Sequence, residues 1–485
     1  MPYRSLADFV EELGLAGELA RIEAEVDPVL EIAEVTRRIA ASGGPALLFG
    51  AVKGRQFPVL TNLLGTEHRL CRALGVVAPA DVAARLSDLL DPSRPEGWFD
   101  RLKASPQSAA LGGMAPKPTR GGPCQQIVRL ASDIDLNDLP GLQSAAQECR
   151  PIITAAALVA VDPESQCRVG GRYTLEILDR DRLAIDWAAH DEHARLLGEY
   201  RRRNQRMPVA AVLGGDPAGL LAASALLPPG VDTVALAGLL RQRPMEAVSC
   251  RSVDLTVPAE ADFVLEGYVD PAEALAQAGP WCTPVGHCSP ARPCPVMHVT
   301  AMPHRANPIF PAMVFGPPPH EACTIDRAIQ RMFLPLARLA IPELVDYDLP
   351  AAAAARHWAA LSIRKTHPGQ ARRVACLACG APALRFAKVL VVVDEDVDVR
   401  DHGQVLKAIG ENFNPGRDVL LDQGPPDPLD PATPLGELGH RMALDATVKL
   451  PGERVEPWPA VGDVSPEVQR SVRDRWPEYG LGPLP

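Results

Sequence analysis

Arg172 is the residue whose type and position first suggest a binding site. It lies two residues before Thr174 in a stretch of strand-like composition, so both side chains are expected on one face of a strand. A guanidinium group can bind the carboxylate of a substrate or a phosphate group. The alternative is a surface arginine paired with Asp179 or Glu176. Arg172 is therefore a candidate catalytic residue, with a structural role as the competing interpretation.

Cys282, His287 and Cys288 form a second, closely spaced group of titratable side chains. Imidazole and thiol groups can transfer protons, and imidazole can also bind a metal ion. A zinc site would need a fourth ligand, which this spacing does not supply. Glu273 lies shortly before the group and is a further candidate acid. His287 is the candidate catalytic residue of this segment.

Cys376 and Cys379 form a CxxC pair in an apolar segment with helical periodicity. Such a pair can be a redox motif, but in this context the pattern favours cysteines that pack inside a buried helix face. We therefore predict a structural role for both thiols.

Length and charge exclude several classes of protein. A chain of 485 residues is too long for one core and indicates two or three domains. The 49 basic and 60 acidic residues give a net charge of −11, which argues against a nucleic-acid partner. The sequence contains no apolar run of transmembrane length and no signal-peptide pattern at its start. Eleven scattered cysteines are typical of reduced thiols, so we expect a cytoplasmic protein.

The elements that would position these residues change in type along the chain. Up to a Gly-, Pro- and Ser-rich stretch at 106–123, helical and strand patterns are mixed. Short strands then dominate, with helical segments at 191–204 and 216–226, which indicates a barrel. In the last third strands alternate with helices, as in a layered α/β domain, and the Pro-rich final 30 residues predict an extended arm.

Long blocks of sequence, in a constant order, resemble the UbiD family of decarboxylases and carboxylases. The blocks that carry the resemblance are MPVA and GGDP within 207–217, LAGLLRQRP at 236–244, VDLTVPAEADFVLEGYVDP at 253–271, PVMHVTAMPHRANPIFPA at 295–312, SIRKTHPGQARRV at 362–374, VVVDEDVDV at 391–399 and MALDATVK at 442–449. They span nearly the whole chain, and this makes the resemblance far more specific than a single motif.

The resemblance implies a fold of class α/β (α+β) with three domains. These are an N-terminal α/β domain at 1–115, a split β-barrel of the flavin-binding type at 116–312 and a C-terminal α/β oligomerisation domain at 313–485. It also implies prenylated FMN as cofactor, supplied by a flavin prenyltransferase, with a divalent metal (Mn or Fe) and K⁺ at its phosphate. The expected assembly is a homo-oligomer, either a dimer or a hexamer, or a hetero-oligomer with a UbiD-like paralogue.

The residues that the family uses are largely replaced in this chain. The position of the catalytic arginine is Thr174, and the EGPFG[DE] segment with two glutamates is AGPWCT at 278–283. The asparagine and glutamate metal ligands correspond to Val169 and Thr233, which puts the metal in doubt. By resemblance, His190 persists as the metal ligand, and the cofactor-binding positions are Lys388, His190, Thr174 and Thr233.

Two functions are compatible with this pattern. The first is a UbiD-like carboxy-lyase with a non-standard active site, acting on an α,β-unsaturated acid or on an aromatic acid, with CoA or phosphate activation as an option. Arg172, His190, His287 and Lys388 would then be its functional residues. The second is a catalytically silent UbiD-like subunit that supports a catalytic paralogue in a mixed complex. The sequence alone favours the enzyme, because the blocks around the flavin are retained.

Overall fold

The structure is a computed structural model. The residues it describes are 3–90, 113–226, 230–353, 356–424, 427–433, 438–453, 462 and 464–483. Within them, no helix combines the length and the apolar character needed to cross a bilayer.

The N-terminal unit packs four helices on a small sheet of strand order β1-β2-β3-β16. Its elements are α1 (Leu6–Leu15), β1 (Leu19–Val26), α2 (Glu31–Ala41), β2 (Ala46–Val52), β3 (Val59–Thr61), α3 (Glu67–Leu74), α4 (Pro79–Leu90) and β16 (Phe310–Pro311). The Ser5 hydroxyl caps α1 by accepting from the Asp8 N–H, and the predicted apolar face of this helix is buried. Because β16 follows the barrel in sequence, it ties the barrel to this sheet.

The central unit is a closed six-stranded barrel. Its strands are β6 (Ile152–Val161), β7 (Arg168–Ile177), β8 (Arg182–Ile185), β9 (Met207–Leu213), β12 (Phe263–Val269) and β15 (Val296–His304). Strand β12 pairs with both β9 and β15 and so closes the barrel, while β5 (Ile127–Leu130) extends it beside β15. Apolar side chains of all six strands fill the interior.

Helices and short strands surround the barrel. They are β4 (Lys117–Thr119), α5 (Glu192–Arg202), α6 (Pro217–Ser224), α7 (Thr233–Leu240), β10 (Glu246–Ser249), β11 (Thr256–Pro258), β13 (Ala276–Ala278) and β14 (Arg292–Cys294). Asp216 and Asp232 cap α6 and α7, since each carboxylate accepts from backbone N–H groups of the first turn. These caps fix where α6 and α7 begin, next to β7.

The C-terminal unit is a layered α/β domain with strand order β17-β18-β19-β21-β20. Its elements are α8 (Glu321–Met332), α9 (Leu334–Ala340), β17 (Leu344–Asp348), β18 (Trp358–Ile363), α10 (Gln370–Gly380), β19 (Val389–Asp394), α11 (His402–Asn412), α12 (Pro415–Asp418), β20 (Val419–Gly424) and β21 (Gly439–Asp445). The three central strands run parallel, and the mixed α/β class with a central barrel is confirmed.

Two local predictions were wrong. The described part of the final 30 residues contains an exposed helix, α13 (Pro466–Asp474), capped by the Ser465 hydroxyl, where an extended arm was expected. Cys376 and Cys379 lie on α10 as predicted, but Cys376 is exposed and Cys379 half-buried. The apolar composition of this segment suggested that both cysteines are buried. Helix α10 instead buries the face that carries Val374 and Ala378.

Candidate functional site

A cleft of about 410 Å³ separates the barrel from the C-terminal domain. We call its two sides the barrel wall and the C-terminal wall. The barrel wall consists of 169–174, Asp186, Ala188, 190–192, 223–226, 230, 231, Thr233, 281–284, Arg292 and Phe315. The C-terminal wall consists of Asp326, Ile329, Gln330, Phe333, Tyr347, Leu349, Arg356, Pro382, Ala383, Arg385, Phe386 and 427–429.

Arg172 projects from β7 into the cleft. Its Nε donates to Ser224 Oγ at 3.0 Å, and its guanidinium carbon lies 5.9 Å from the centre of the Phe315 ring. It pairs with neither of its expected surface partners, because Asp179 binds Arg182 and Glu176 binds Arg150. Burial lowers the pKa of Arg172, although it remains a cation at any physiological pH. The terminal guanidinium nitrogens have no hydrogen-bond partner in the described part of the chain. They are therefore free to donate hydrogen bonds to a bound anion.

Asp326 lies in the same cleft, on helix α8 of the C-terminal wall. Burial raises the pKa of Asp326, and the nearby Arg172 and Arg356 oppose that rise. Among the residues that the structure describes, its carboxylate has no hydrogen bond and no ion pair within 4.0 Å. A carboxyl group with a raised pKa and no bonded partner can exist in the protonated form and donate a proton.

Val169 and Thr233 both belong to the barrel wall. Thr233 Oγ1 accepts from the Gly170 N–H at 3.0 Å and lies 3.3 Å from the Gly170 carbonyl oxygen, to which it donates. A Cβ atom on Gly170 would lie 2.8 Å from Thr233, so this close approach requires glycine. The Val169 side chain is apolar and 8% exposed. Val169 offers no oxygen to a cation, and the Thr233 hydroxyl already accepts one hydrogen bond and donates another.

The segment at 278–283 is held by two carboxylates from beneath the cleft. Glu176 accepts from the Gly279 N–H at 2.6 Å and from the indole N–H of Trp281 at 2.7 Å. Glu148 accepts from the Cys282 N–H at 2.7 Å, and burial raises the pKa of Glu148. These buried bonds fix the shape of the segment but leave both carboxylates outside the cleft lining.

The far end of the cleft is built around Phe386. The guanidinium carbons of Arg356 and Arg385 lie 4.5 Å and 4.7 Å from the centre of its ring, and the His190 ring centre lies at 4.9 Å. Asp427 fixes Arg356 through an ion pair of 2.9 Å. Burial lowers the pKa of His190, although the neighbouring Asp191 opposes this, so the imidazole is neutral near pH 7.

Comparison with known proteins identifies the family. Three profiles match, each described as a domain of 3-octaprenyl-4-hydroxybenzoate carboxy-lyase: the N-terminal domain at 10–90, the Rift-related domain at 117–318 and the C-terminal domain at 323–446. The chain belongs to the UbiD family. The resemblance seen in the sequence is thereby confirmed.

Relatives and solved structures also match over nearly the full length of the chain. An uncharacterised protein of Aquifex aeolicus is 39% identical over 99% of both chains. Vanillic acid decarboxylase of Sedimentibacter hydroxybenzoicus in its closed form is 26% identical with a TM-score of 0.87, over 99% of this chain and 100% of its own. The UbiD-class enzyme HmfF of Pelotomaculum thermopropionicum, solved with FMN, is 30% identical with a TM-score of 0.74, over 94% and 98%. The family is thus one of carboxy-lyases that act on aromatic acids.

The structure brings only some of the predicted site residues together. Arg172, Thr174, His190 and Thr233 all line the cleft. Lys388 does not, and its ammonium group pairs with Asp430 at 2.6 Å.

Of the second candidate group, Cys282, His287 and Cys288, the cleft lining includes one member. Cys282 lines the cleft, whereas His287 and Cys288 are exposed and lie outside the lining. The backbone carbonyl of His287 accepts from the Thr283 N–H. The Glu273 carboxylate contacts His298 at 2.6 Å, away from the cleft.

A divalent metal of the UbiD type does not fit the residues present. Such an ion prefers several oxygen ligands, but Val169 has none and the Thr233 hydroxyl is occupied by Gly170. Within the described ranges, no three His, Cys, Asp or Glu side chains come close enough to hold a metal ion. His190 is a single imidazole, and its charged surroundings are mixed: Arg385 and Arg356 repel a cation, while Asp191 and Asp427 attract one.

Sequence reasoning missed Asp326, Arg356 and Arg385, which all line the C-terminal wall. Asp326 interrupts the apolar stripe of an amphipathic helix, and an acid near such a stripe is a detectable but weak signal. Arg385 lies three residues before Lys388, which was the cation of that segment to which the resemblance pointed. Only the packing of two domains shows that these side chains share one cavity.

Proposed function

We propose that this protein is a UbiD-type carboxy-lyase with a non-standard active site. Its substrate is an aromatic acid, either free or activated as a CoA thioester or a phosphate, or an α,β-unsaturated acid, which it decarboxylates or carboxylates. The cofactor is prenylated FMN, bound in the cleft. An evolved dimeric form of HmfF has been solved with prenylated FMN. It is 29% identical to this chain and covers 96% of this chain, which supports the choice of cofactor.

The observation that carries the proposal is that Arg172 and Asp326 line one cleft from opposite walls. Each is the strongest charged neighbour of the other: Asp326 raises the pKa of Arg172, and Arg172 lowers that of Asp326. Both effects oppose the larger effect of burial. A permanent cation beside a carboxyl group of raised pKa is a suitable arrangement for carboxylate binding and proton transfer.

Arg172 binds the substrate carboxylate, since its terminal nitrogens face the cleft and its Nε is anchored on Ser224. Prenylated FMN, when bound, supplies the electron sink that stabilises the charge left by departing CO₂. Asp326 then donates its proton to the carbon that carried the carboxylate. The overall change is R–COO⁻ + H⁺ → R–H + CO₂, and solvent returns the proton to Asp326.

Apolar side chains of the cleft suit an aromatic substrate. Phe315 lies on the barrel wall beside Arg172, and Ile329 and Phe333 face the cleft from the C-terminal wall. Aromatic and aliphatic surfaces next to a charged anchor favour a flat acid over a small polar one.

The test uses protein purified after co-expression with a flavin prenyltransferase. The loaded protein is incubated in D₂O with a panel of aryl acids and aryl-CoA thioesters, and CO₂ release and deuterium at the former carboxylate carbon are measured. Arg172→Ala is expected to lower kcat/KM by roughly 10- to 100-fold, because a charge-assisted bond to the carboxylate is lost. Arg182→Ala, an exposed arginine paired with Asp179, is the matched control and should be unaffected.

The loss of the metal ligands specifically favours a second candidate, a silent subunit that supports a UbiD-like paralogue. Loaded protein that neither releases CO₂ nor exchanges deuterium with any substrate of the panel would contradict the enzyme. Co-purification with such a paralogue, whose activity rises on mixing, would establish the silent subunit instead.

A further inference from the structure

The cleft lacks the cation that UbiD chemistry would place at the cofactor phosphate. Val169 and Thr233 cannot bind a divalent ion, and Lys388, the predicted phosphate ligand, is paired with Asp430 outside the cleft lining. A bound FMN phosphate carries close to two negative charges, and these need other partners if the cofactor binds at all.

Arg385 is a cleft residue with unused donors. In the described part of the chain its guanidinium forms no hydrogen bond and no ion pair, and its Nε is buried without a partner. Its guanidinium carbon lies 4.7 Å from the centre of the Phe386 ring. A buried guanidinium nitrogen without a partner is costly unless a ligand satisfies it, so the Nε of this half-buried side chain supports an anion site.

Arg356 lies on the same aromatic ring, 4.5 Å from its centre, and also lines the cleft. Asp427, which is 6% exposed, anchors it through Nε at 2.9 Å. The contact with Asp427 is through Nε, and within the described residues the two terminal nitrogens donate no hydrogen bond. Two guanidinium groups thus lie against one ring in the same cleft, and the fork of donors on each matches the geometry of phosphate oxygens.

We propose that Arg385 and Arg356 bind the phosphate of the flavin cofactor without a divalent metal. The inference rests on the proposed flavin cofactor but not on the proposed reaction. It assigns the two anion sites of the cleft to different ligands: Arg172 to the substrate carboxylate, and the Phe386 pair to the cofactor phosphate.

The test compares FMN with riboflavin, which lacks the phosphate, as probes of the whole chain treated with EDTA. Binding is followed by quenching of flavin fluorescence, without turnover. FMN is expected to bind about 10- to 100-fold more tightly than riboflavin, and added Mn²⁺ should not change that ratio. In Arg385→Ala the ratio should fall towards unity through weaker FMN binding, whereas Arg182→Ala retains it.

A second measurement on the unmodified protein covers the case in which Arg385→Ala does not fold. Inorganic phosphate, compared with chloride at equal ionic strength, should displace FMN and leave riboflavin bound. A preference for FMN that appears only with Mn²⁺, or that survives in folded Arg385→Ala, would overturn the proposal, and so would failure of both flavins to bind. Retained FMN preference in a protein without decarboxylase activity would overturn the proposed reaction alone.

Discussion

The two walls of the cleft differ in what they offer a charged ligand. On the barrel wall, the positions to which the resemblance assigned metal ligands and the catalytic arginine carry Val169, Thr174 and Thr233, which are not ionisable at working pH, beside His190. The C-terminal wall carries Asp326 and Arg385, both without a bonded partner in the described residues. The barrel framework is thus retained, while two ionisable groups that no bonded partner occupies lie on the opposite wall. Arg172 faces them from the barrel wall.

The largest effect should come from the proton donor on the C-terminal wall. Asp326→Asn is expected to lower the decarboxylation rate by about 100-fold or more, because amide cannot replace a general acid. The isosteric barrel-wall variant Thr174→Val should change the rate far less. Rates of both loaded variants, measured from pH 5 to 9, check this. Since protonated Asp326 is the donor, the rate of the unmodified protein should fall as pH rises through the raised pKa of Asp326. Equal losses of rate in the two variants would contradict a proton donor on the C-terminal wall.

The attachment of the C-terminal wall should depend on pH. Glu321, the first residue of α8, accepts from the Leu64 N–H at 2.7 Å, and burial raises the pKa of Glu321 to about 7. A raised carboxyl pKa costs stability above the unfolded pKa and nothing below it. Glu321→Gln should therefore be more stable than the unmodified protein at pH 8.5, by at most about 3 kcal/mol, and the gain should shrink towards pH 4.5.

Thermal unfolding across that range measures the gain. Glu34→Gln, which replaces an exposed carboxylate paired with Arg38, is the control and should show no such trend. A Glu321→Gln protein that is less stable at high pH would show that the ionised carboxylate strengthens the contact.

Substitutions on the barrel wall should change stability through steric contacts, whereas those on the C-terminal wall should act through charge. Gly170→Ala places a Cβ atom 2.8 Å from Thr233 and is expected to destabilise the fold by about 1–3 kcal/mol. Gly198→Ala is the matched control, because nothing lies within 4 Å of its new Cβ on helix α5. That variant should be stabilised by up to about 1 kcal/mol. Melting temperatures that move in the same direction would contradict the steric argument.

The smallest effect concerns the hydroxyl of Thr233, at the position to which the resemblance assigned a metal ligand. Thr233→Val removes both hydrogen bonds to the Gly170 backbone and should cost about 1 kcal/mol of stability, while Thr233→Ser retains them. Flavin content after co-expression should be the same in both variants. Loss of flavin from Thr233→Val alone would give this hydroxyl a role in cofactor binding.

Much of the fold could be predicted from sequence, because its signals are local. The periodicity of Leu6–Leu13 and the short strands of the barrel have physical causes within a few residues. The site could be predicted only where resemblance pointed to single positions, as at Val169, Thr174 and Thr233. The roles of Asp326 and Arg385 depend on the approach of two domains, which no local pattern encodes.

The most direct test of the account is the flavin and metal content of protein purified after co-expression with a flavin prenyltransferase. A cleft that binds the cofactor without a divalent metal should give stoichiometric prenylated flavin in the absorption spectrum. Elemental analysis should then find divalent metal far below stoichiometry. One metal ion accompanying each flavin would contradict the metal-free cleft, and protein without flavin would contradict cofactor binding itself.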